Sequence, residues 1–173
     1  TGGTVLHFYL GEKIEDRVIT VEKFWKDNKL NKESNVQFGE GGAGTFSDGK
    51  LNTLTKDKNN RFRKVFETFV MCGANEDIMY SNTPHIGTDV LRNVIINIRE
   101  KIIKLGGEVC FDTYMNGISA DVNGVTAISV TDTKTGESRT ISCDRLVLAI
   151  GHSARDTYKM LKDIVSMEQK DFA

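Results

Sequence analysis

Phe38-Gly39-Glu40-Gly41-Gly42-Ala43-Gly44-Thr45-Phe46-Ser47-Asp48-Gly49-Lys50-Leu51-Asn52 carries five glycines within eleven positions, with two hydroxyls, two carboxylates and a lysine among them. Glycine loses more conformational freedom on folding than any other residue, so this density works against stability. One reading is that backbone N–H groups here must come close to a ligand, polyphosphates being the commonest kind. Another is a mobile loop that holds nothing. A third is a phosphate-binding P-loop, because Gly44 to Lys50 fits the first seven positions of GxxxxGK[ST]. Leu51 argues against the third, since it lacks the hydroxyl that would hold magnesium. The upstream residues Asn31 to Gln37 are also not a buried strand, and Asp57 to Asn60 break the helix that should follow at once. Glu40, Asp48 and Lys50 are acid, base or charge-partner candidates if a ligand organises the loop, and solvated charges otherwise.

Upstream of the loop, Thr4 to Leu10 is a short apolar run ended by Gly11 and reads as a buried strand, with His7 in the core. A helix follows from Ile14 to about Lys26, in which Ile14, Val18, Val21 and Trp25 form one stripe. Downstream, Arg61 to Met71 is a second helix, with Asn60 as its cap and Gly73 as its stop. Asp89 to Leu105 is a third, capped by Thr88 and stopped by Gly106-Gly107. Val90, Leu91, Val94, Ile95, Ile98, Ile102 and Leu105 share one side of it, so it needs a sheet to dock on. His85, just ahead of this helix, is either a proton donor or a structural hydrogen-bonder.

That sheet is expected in the second half. Glu108 to Asp112 and Ile118 to Val122 read as strands, and Asn123-Gly124 as a type I′ hairpin turn. Val125 to Thr131 alternates, Thr135-Gly136 marks a second hairpin, and Arg139 to Ser142 returns. The unbroken apolar run Leu146-Val147-Leu148-Ala149-Ile150 has the composition of a strand covered on both faces. Gly151 ends it, and a helix begins with Ser153 as cap and Asp156 three residues on. Ligands in open α/β sheets bind beyond the carboxyl ends of strands, which makes Gly151 and His152 a second candidate site beside a plain strand-to-helix turn. The fold class is α/β, with an antiparallel meander over about 116–143 set between parallel-type strands.

The 173 residues suffice for one domain with a real core, and 39% hydrophobic and 27% charged residues are ordinary for a soluble protein. A net charge of -1 gives no electrostatic reason to expect nucleic acid or a membrane surface. No run approaches the ~18 apolar residues that span a bilayer. Cys72, Cys110 and Cys143 form no CxxC pair, which disfavours zinc and a disulfide framework and suits reduced, cytoplasmic thiols that serve as packing groups.

Three strings together resemble the uncharacterised bacterial FAD-dependent dehydrogenases, also described as NAD-utilising dehydrogenases. They are Asn35 to Thr53 around the glycine loop, Pro84-His85-Ile86-Gly87-Thr88-Asp89, and Ala149-Ile150-Gly151-His152-Ser153-Ala154-Arg155-Asp156-Thr157. The resemblance implies an incomplete Rossmann-like FAD/NAD(P)-binding domain over residues 1–173. It places Gly39, Glu40, Gly41, Gly42, Gly44, Ser47, Asp48, Gly49, Lys50, Gly151 and His152 beside the cofactor. FAD is the implied cofactor and NAD(P)H the implied reductant, and no catalytic residue or metal ligand carries over. The chain departs from the family in lacking a GxGxxG unit, and Tyr9 and Leu10 stand where an acidic and a basic residue are expected. Glu12 is the nearest carboxylate to the ribose position. The expectation is therefore a fragment, truncated at both ends, that holds FAD weakly or not at all and self-associates through an open sheet edge. The alternative is a non-catalytic remnant that no longer holds flavin.

Overall fold

The computed structural model describes residues 4–47, 49–51, 56–81 and 83–168. The chain is mixed α/β, with a parallel strand pair and an antiparallel three-stranded sheet. It divides into two compact units, residues 1–111 and 112–173.

In the first unit, strand β1 (Leu6–Phe8) pairs in parallel with β2 (Glu108–Cys110), Leu6 opposite Glu108 and Phe8 opposite Cys110. The pairing runs one residue further at each end, through Glu108 N–H to the Val5 carbonyl and Tyr9 N–H to the Cys110 carbonyl. His7 is exposed rather than in the core, and it stacks on Tyr9 with centroids 4.4 Å apart.

Helix α1 (Ile14–Asp27) buries Ile14 and Val21, as the stripe requires, but Trp25 is 58% exposed. Helix α2 (Arg61–Met71) starts where expected, by a different cap. Asn60 is left-handed (φ 52°) and its side chain caps nothing, whereas the Asp57 carboxylate accepts from Arg61 N–H (2.9 Å) and Phe62 N–H (2.7 Å). These bonds, that to Phe62 first, hold the Asp57 carboxyl below its usual range. Helix α3 (Thr88–Lys104) takes Thr88 as its first residue, with Gly87 at the cap and no side-chain cap bond.

Val94 and Leu91 of α3 enter the main core with Cys72, Ala74, Ile78 and Ile86. α3 also packs against α1 and β2, which supplies the docking surface its apolar face demands. Leu105 and Val90, at the ends of that face, stay exposed.

In the second unit the meander is β3 (Thr113–Asp121), β4 (Gly124–Asp132) and β5 (Ser138–Ser142), antiparallel in that order. It begins five residues before the expected Ile118. The first hairpin is not type I′. Asp121 pairs with Gly124, so Val122 and Asn123 form the turn, and of these four only Gly124 has positive φ (127°). A ladder irregularity between Ser119 and Ala120 absorbs the difference, as a bulge beside the turn does. The second hairpin follows the expected glycine: Gly136 has φ 76°, and Asp132 Oδ1 accepts the N–H groups of Lys134 and Thr135, both at 2.8 Å.

Helix α4 (Arg155–Leu161) lies against β3 and buries Thr157 and Leu161. Its cap position is Ala154, so the Ser153/Asp156 capping box does not form. Leu146 to Ile150 is not a strand. It joins neither sheet among the described residues, and Val147 is 86% exposed. Apolar composition encodes a demand for burial, whereas a strand exists only when a neighbour supplies its ladder.

Candidate functional site

The glycine loop lies in the first unit and wraps one buried side chain. Arg17 of α1 is fully buried. Its Nε donates to the Asn35 carbonyl (2.9 Å) and its Nη2 to the Val36 carbonyl (3.0 Å). Nη1 donates to the Glu40 carbonyl and to Thr45 Oγ1 (3.0 Å). The guanidinium also covers the Phe46 ring, 4.8 Å from its centroid. Burial lowers its pKa to about 10, and it stays charged at neutral pH, with Glu40 favouring that charge. Arg17 was not among the sequence candidates. The available signal was its position: three residues after Ile14 and four before Val21, a charge inside the apolar arc of its own helix.

Glu40 is not a solvated loop charge. It is 1% exposed, and its Oε2 accepts from Ile14 N–H (2.8 Å), at the start of α1, and from Arg99 Nη1 of α3 (2.6 Å). Arg99 also holds Glu15. Burial raises the Glu40 carboxyl above its usual range despite these partners, and the Arg99 hydrogen bond lowers that of Glu15. Glu12 is engaged as well, its Oε2 accepting the hydroxyls of Thr20 (2.6 Å) and Ser34 (2.9 Å). A cavity of about 110 Å³ lies against this network, lined by His7, Tyr9, Glu40, Gly41, Arg99, Val109 and three isoleucines of α3.

The glycines separate by what surrounds them. A Cβ on Gly39 (φ 113°) would sit 2.6 Å from Arg17 Cδ. On Gly41 (φ 82°) it would be 2.4 Å from Ile95 Cδ1, and on Gly49 (φ 66°) 1.7 Å from the Ile86 carbonyl oxygen. These three are glycine because the protein itself comes that close. Among the described residues, a Cβ on Gly42 (φ 64°) meets nothing within 4 Å, and one on Gly44 meets only Leu91 Cδ2 at 3.9 Å, without a positive φ.

Ala43–Phe46 forms a 3₁₀ turn, whose first N–H groups have no acceptor inside it. Beside it, Arg92 lies 5.4 Å over the Phe46 ring, and its buried Nε has no hydrogen-bond partner among the described residues. The first N–H groups of the turn and the Arg92 guanidinium, which also pairs with Asp89 (3.9 Å), are the groups here that could hold an anionic group such as a pyrophosphate. Ser47 is exposed, with its hydroxyl 3.4 Å from the Gly44 carbonyl, and Asp48 lies outside the described residues.

Residues 49–51 run antiparallel to 84–86, with Lys50 and His85 opposite each other, Ile86 N–H on the Gly49 carbonyl and Leu51 N–H on the Pro84 carbonyl, both 2.9 Å. That pairing excludes the P-loop reading, in which the lysine would open a helix. His85 is exposed.

The other two predicted site residues belong to the second unit. Gly151 has φ 70° with open space around it, its carbonyl accepts the Tyr158 hydroxyl (2.9 Å), and His152 is exposed. They precede a seven-residue helix and follow an irregular segment instead of a strand tip. This unit also has a depression of about 540 Å³ lined by Thr113, Val130, Asp132, Glu137, Ser138 and Arg139, none of which was predicted as a site residue. The three cysteines are free, Cys72 buried and the others half-buried. No helix among the described residues is long and apolar enough to cross a membrane.

No family model matches the chain. An uncharacterised protein of Clostridium beijerinckii is 50% identical over 164 residues, 94% of this chain, and the chain spans 29% of that relative's length. The crystal structure of L-lysine 6-monooxygenase from Pseudomonas syringae aligns over 88% of this chain and 36% of its own, with 15% identity and a TM-score of 0.33.

Proposed function

We propose that this chain is part of the FAD-binding domain of an FAD-dependent oxidoreductase, Rossmann-like in plan and with the meander inserted. The reading rests on the three strings that resemble the FAD-dependent dehydrogenases. The single structural observation that carries it is the contrast within the loop. Gly39, Gly41 and Gly49 are explained by internal packing, whereas a Cβ on Gly44 would meet Leu91 Cδ2 at an ordinary 3.9 Å with an ordinary φ, so nothing among the described residues demands a missing side chain there.

A ligand approaching the backbone supplies that reason. Ala43 and Gly44 would then present N–H groups to the pyrophosphate, with Arg92 adding positive charge and Gly42 supplying the φ of 64° that leads into the turn. Ser47, Asp48 and Lys50 are kept as cofactor neighbours in this reading. Glu40 is kept as a cofactor neighbour only by anchoring the loop: its carboxylate is turned to Arg99 and the start of α1, its N–H to the Glu12 carbonyl and its own carbonyl to Arg17. Gly151 and His152 are kept as cofactor neighbours. The flavin supplies the redox chemistry when bound, with NAD(P)H as the reductant, and the chain's residues bind and orient it.

FAD titrated into the 173-residue chain tests this. Saturable quenching of flavin fluorescence is expected, weakened on the order of tenfold by Gly44→Ala with no change in the folding midpoint. The full-length Clostridium relative, purified, is expected to be yellow and to be bleached by NADH or NADPH without oxygen. A colourless relative together with no saturable quenching by the chain overturns the reading.

A further inference from the structure

We infer that Arg17 is the positioning residue of the ligand-binding loop: it sets the backbone conformation of residues 39–46 and thereby the affinity for the anionic ligand. The ligand half of this inference rests on the reading above. The conformational half does not.

A loop of five glycines has no preferred shape of its own, so something outside it must select one. Backbone bonds do part of this, Glu40 N–H to the Glu12 carbonyl (3.1 Å) and Gly42 N–H to the Gly39 carbonyl (3.2 Å). Arg17 does the rest from inside the curve. It binds the loop's approach at Asn35 and Val36, its middle at Glu40 and its 3₁₀ turn at Thr45, four points on an eleven-residue arc held by one planar fork.

Thr45 passes the constraint on, since its Oγ1 accepts from Arg17 and donates to the Gly42 carbonyl (2.8 Å), the residue ahead of the turn. Gly39 records the same geometry in the sequence, because a Cβ there would strike the Arg17 stem. A lysine keeps the charge but not the fork, so it reaches too few of these acceptors. Arg17 does not itself face the ligand: it is fully buried behind the loop.

Amide hydrogen exchange on the ligand-free chain gives a readout independent of flavin. In Arg17→Met, exchange at Glu40 and Gly42 is expected to accelerate on the order of tenfold or more, while Leu91 to Ile98 of α3 keep their rates. Arg17→Lys is expected to behave like Arg17→Met. Thr45→Val is the milder probe, for use if Arg17→Met fails to fold, and is expected to loosen residues 42–46 by several-fold. FAD quenching should weaken with the loop exchange in all three variants.

Unchanged exchange at 39–46, or equal acceleration in α3, overturns the positioning role. Loosened exchange with undiminished FAD affinity overturns the link to binding. If the parent chain shows no quenching, the flavin reading fails, and the exchange result still decides whether Arg17 shapes the loop.

Discussion

Two glycines five positions apart in one loop illustrate how differently the same residue type can be used. Gly39→Ala combines a left-handed φ of 113° with a Cβ 2.6 Å from Arg17, and is expected to destabilise the chain by about 1–3 kcal/mol in urea unfolding. Gly44→Ala has room and an ordinary φ, and is expected to stay within about 0.5 kcal/mol of the parent. Glu40 gives a pH dependence with a definite sign. Its folded carboxyl titrates above the ordinary value of 4.5, so between those two values the folded chain binds more protons than the unfolded one. Stability therefore falls as pH rises from 4.5 through the folded value, and Glu40→Gln is expected to flatten that part of the profile of urea midpoint against pH. Glu15 acts in a separate window: its lowered pKa contributes stability above 4.5 that is lost as pH falls below it.

At the scale of elements, what surrounds each helix decides how much its apolar residues matter. Ile78, 1% exposed in the core beneath α3, is expected to cost about 2–5 kcal/mol on truncation to alanine. Ile103 lies on α3 itself but is 54% exposed, and its truncation is expected to change stability by less than about 0.5 kcal/mol. The start of α2 depends on Asp57, three residues ahead of the cap position. Asp57→Ala is expected to leave the helix in place but speed amide exchange at Arg61 and Phe62, whose N–H groups lose their acceptor. The sequence located all three long helices to within one residue at each end, because apolar periodicity and a following glycine are local signals. It misassigned the caps of α2 and α3: at α2 the Asp57 carboxylate takes the first N–H groups in place of Asn60, and α3 starts from Gly87 with no side-chain cap bond.

At the scale of the molecule, the second unit leaves an apolar segment uncovered. Leu148 is 38% and Val147 86% exposed, in a run without a polar residue. We propose that this segment drives self-association, so that sedimentation shows a concentration-dependent species that Val147→Lys diminishes. A monomer insensitive to concentration would count against it.

The sequence by itself determined the class and every long helix and hairpin, though not the 146–150 segment: helices from the 3.6-residue period, hairpins from Gly124 and Gly136, and a loop that glycine density marked as exceptional. Only the tertiary structure decided what that loop is built around. Burying Arg17 is tolerable because Asn35, Val36, Glu40 and Thr45, 18 to 28 residues away along the chain, converge on its guanidinium, and Glu40 becomes a core residue because Arg99, 59 residues away, meets it. Local patterns report which residues seek burial. Which charges are permitted there depends on partners that only folding brings within hydrogen-bond distance.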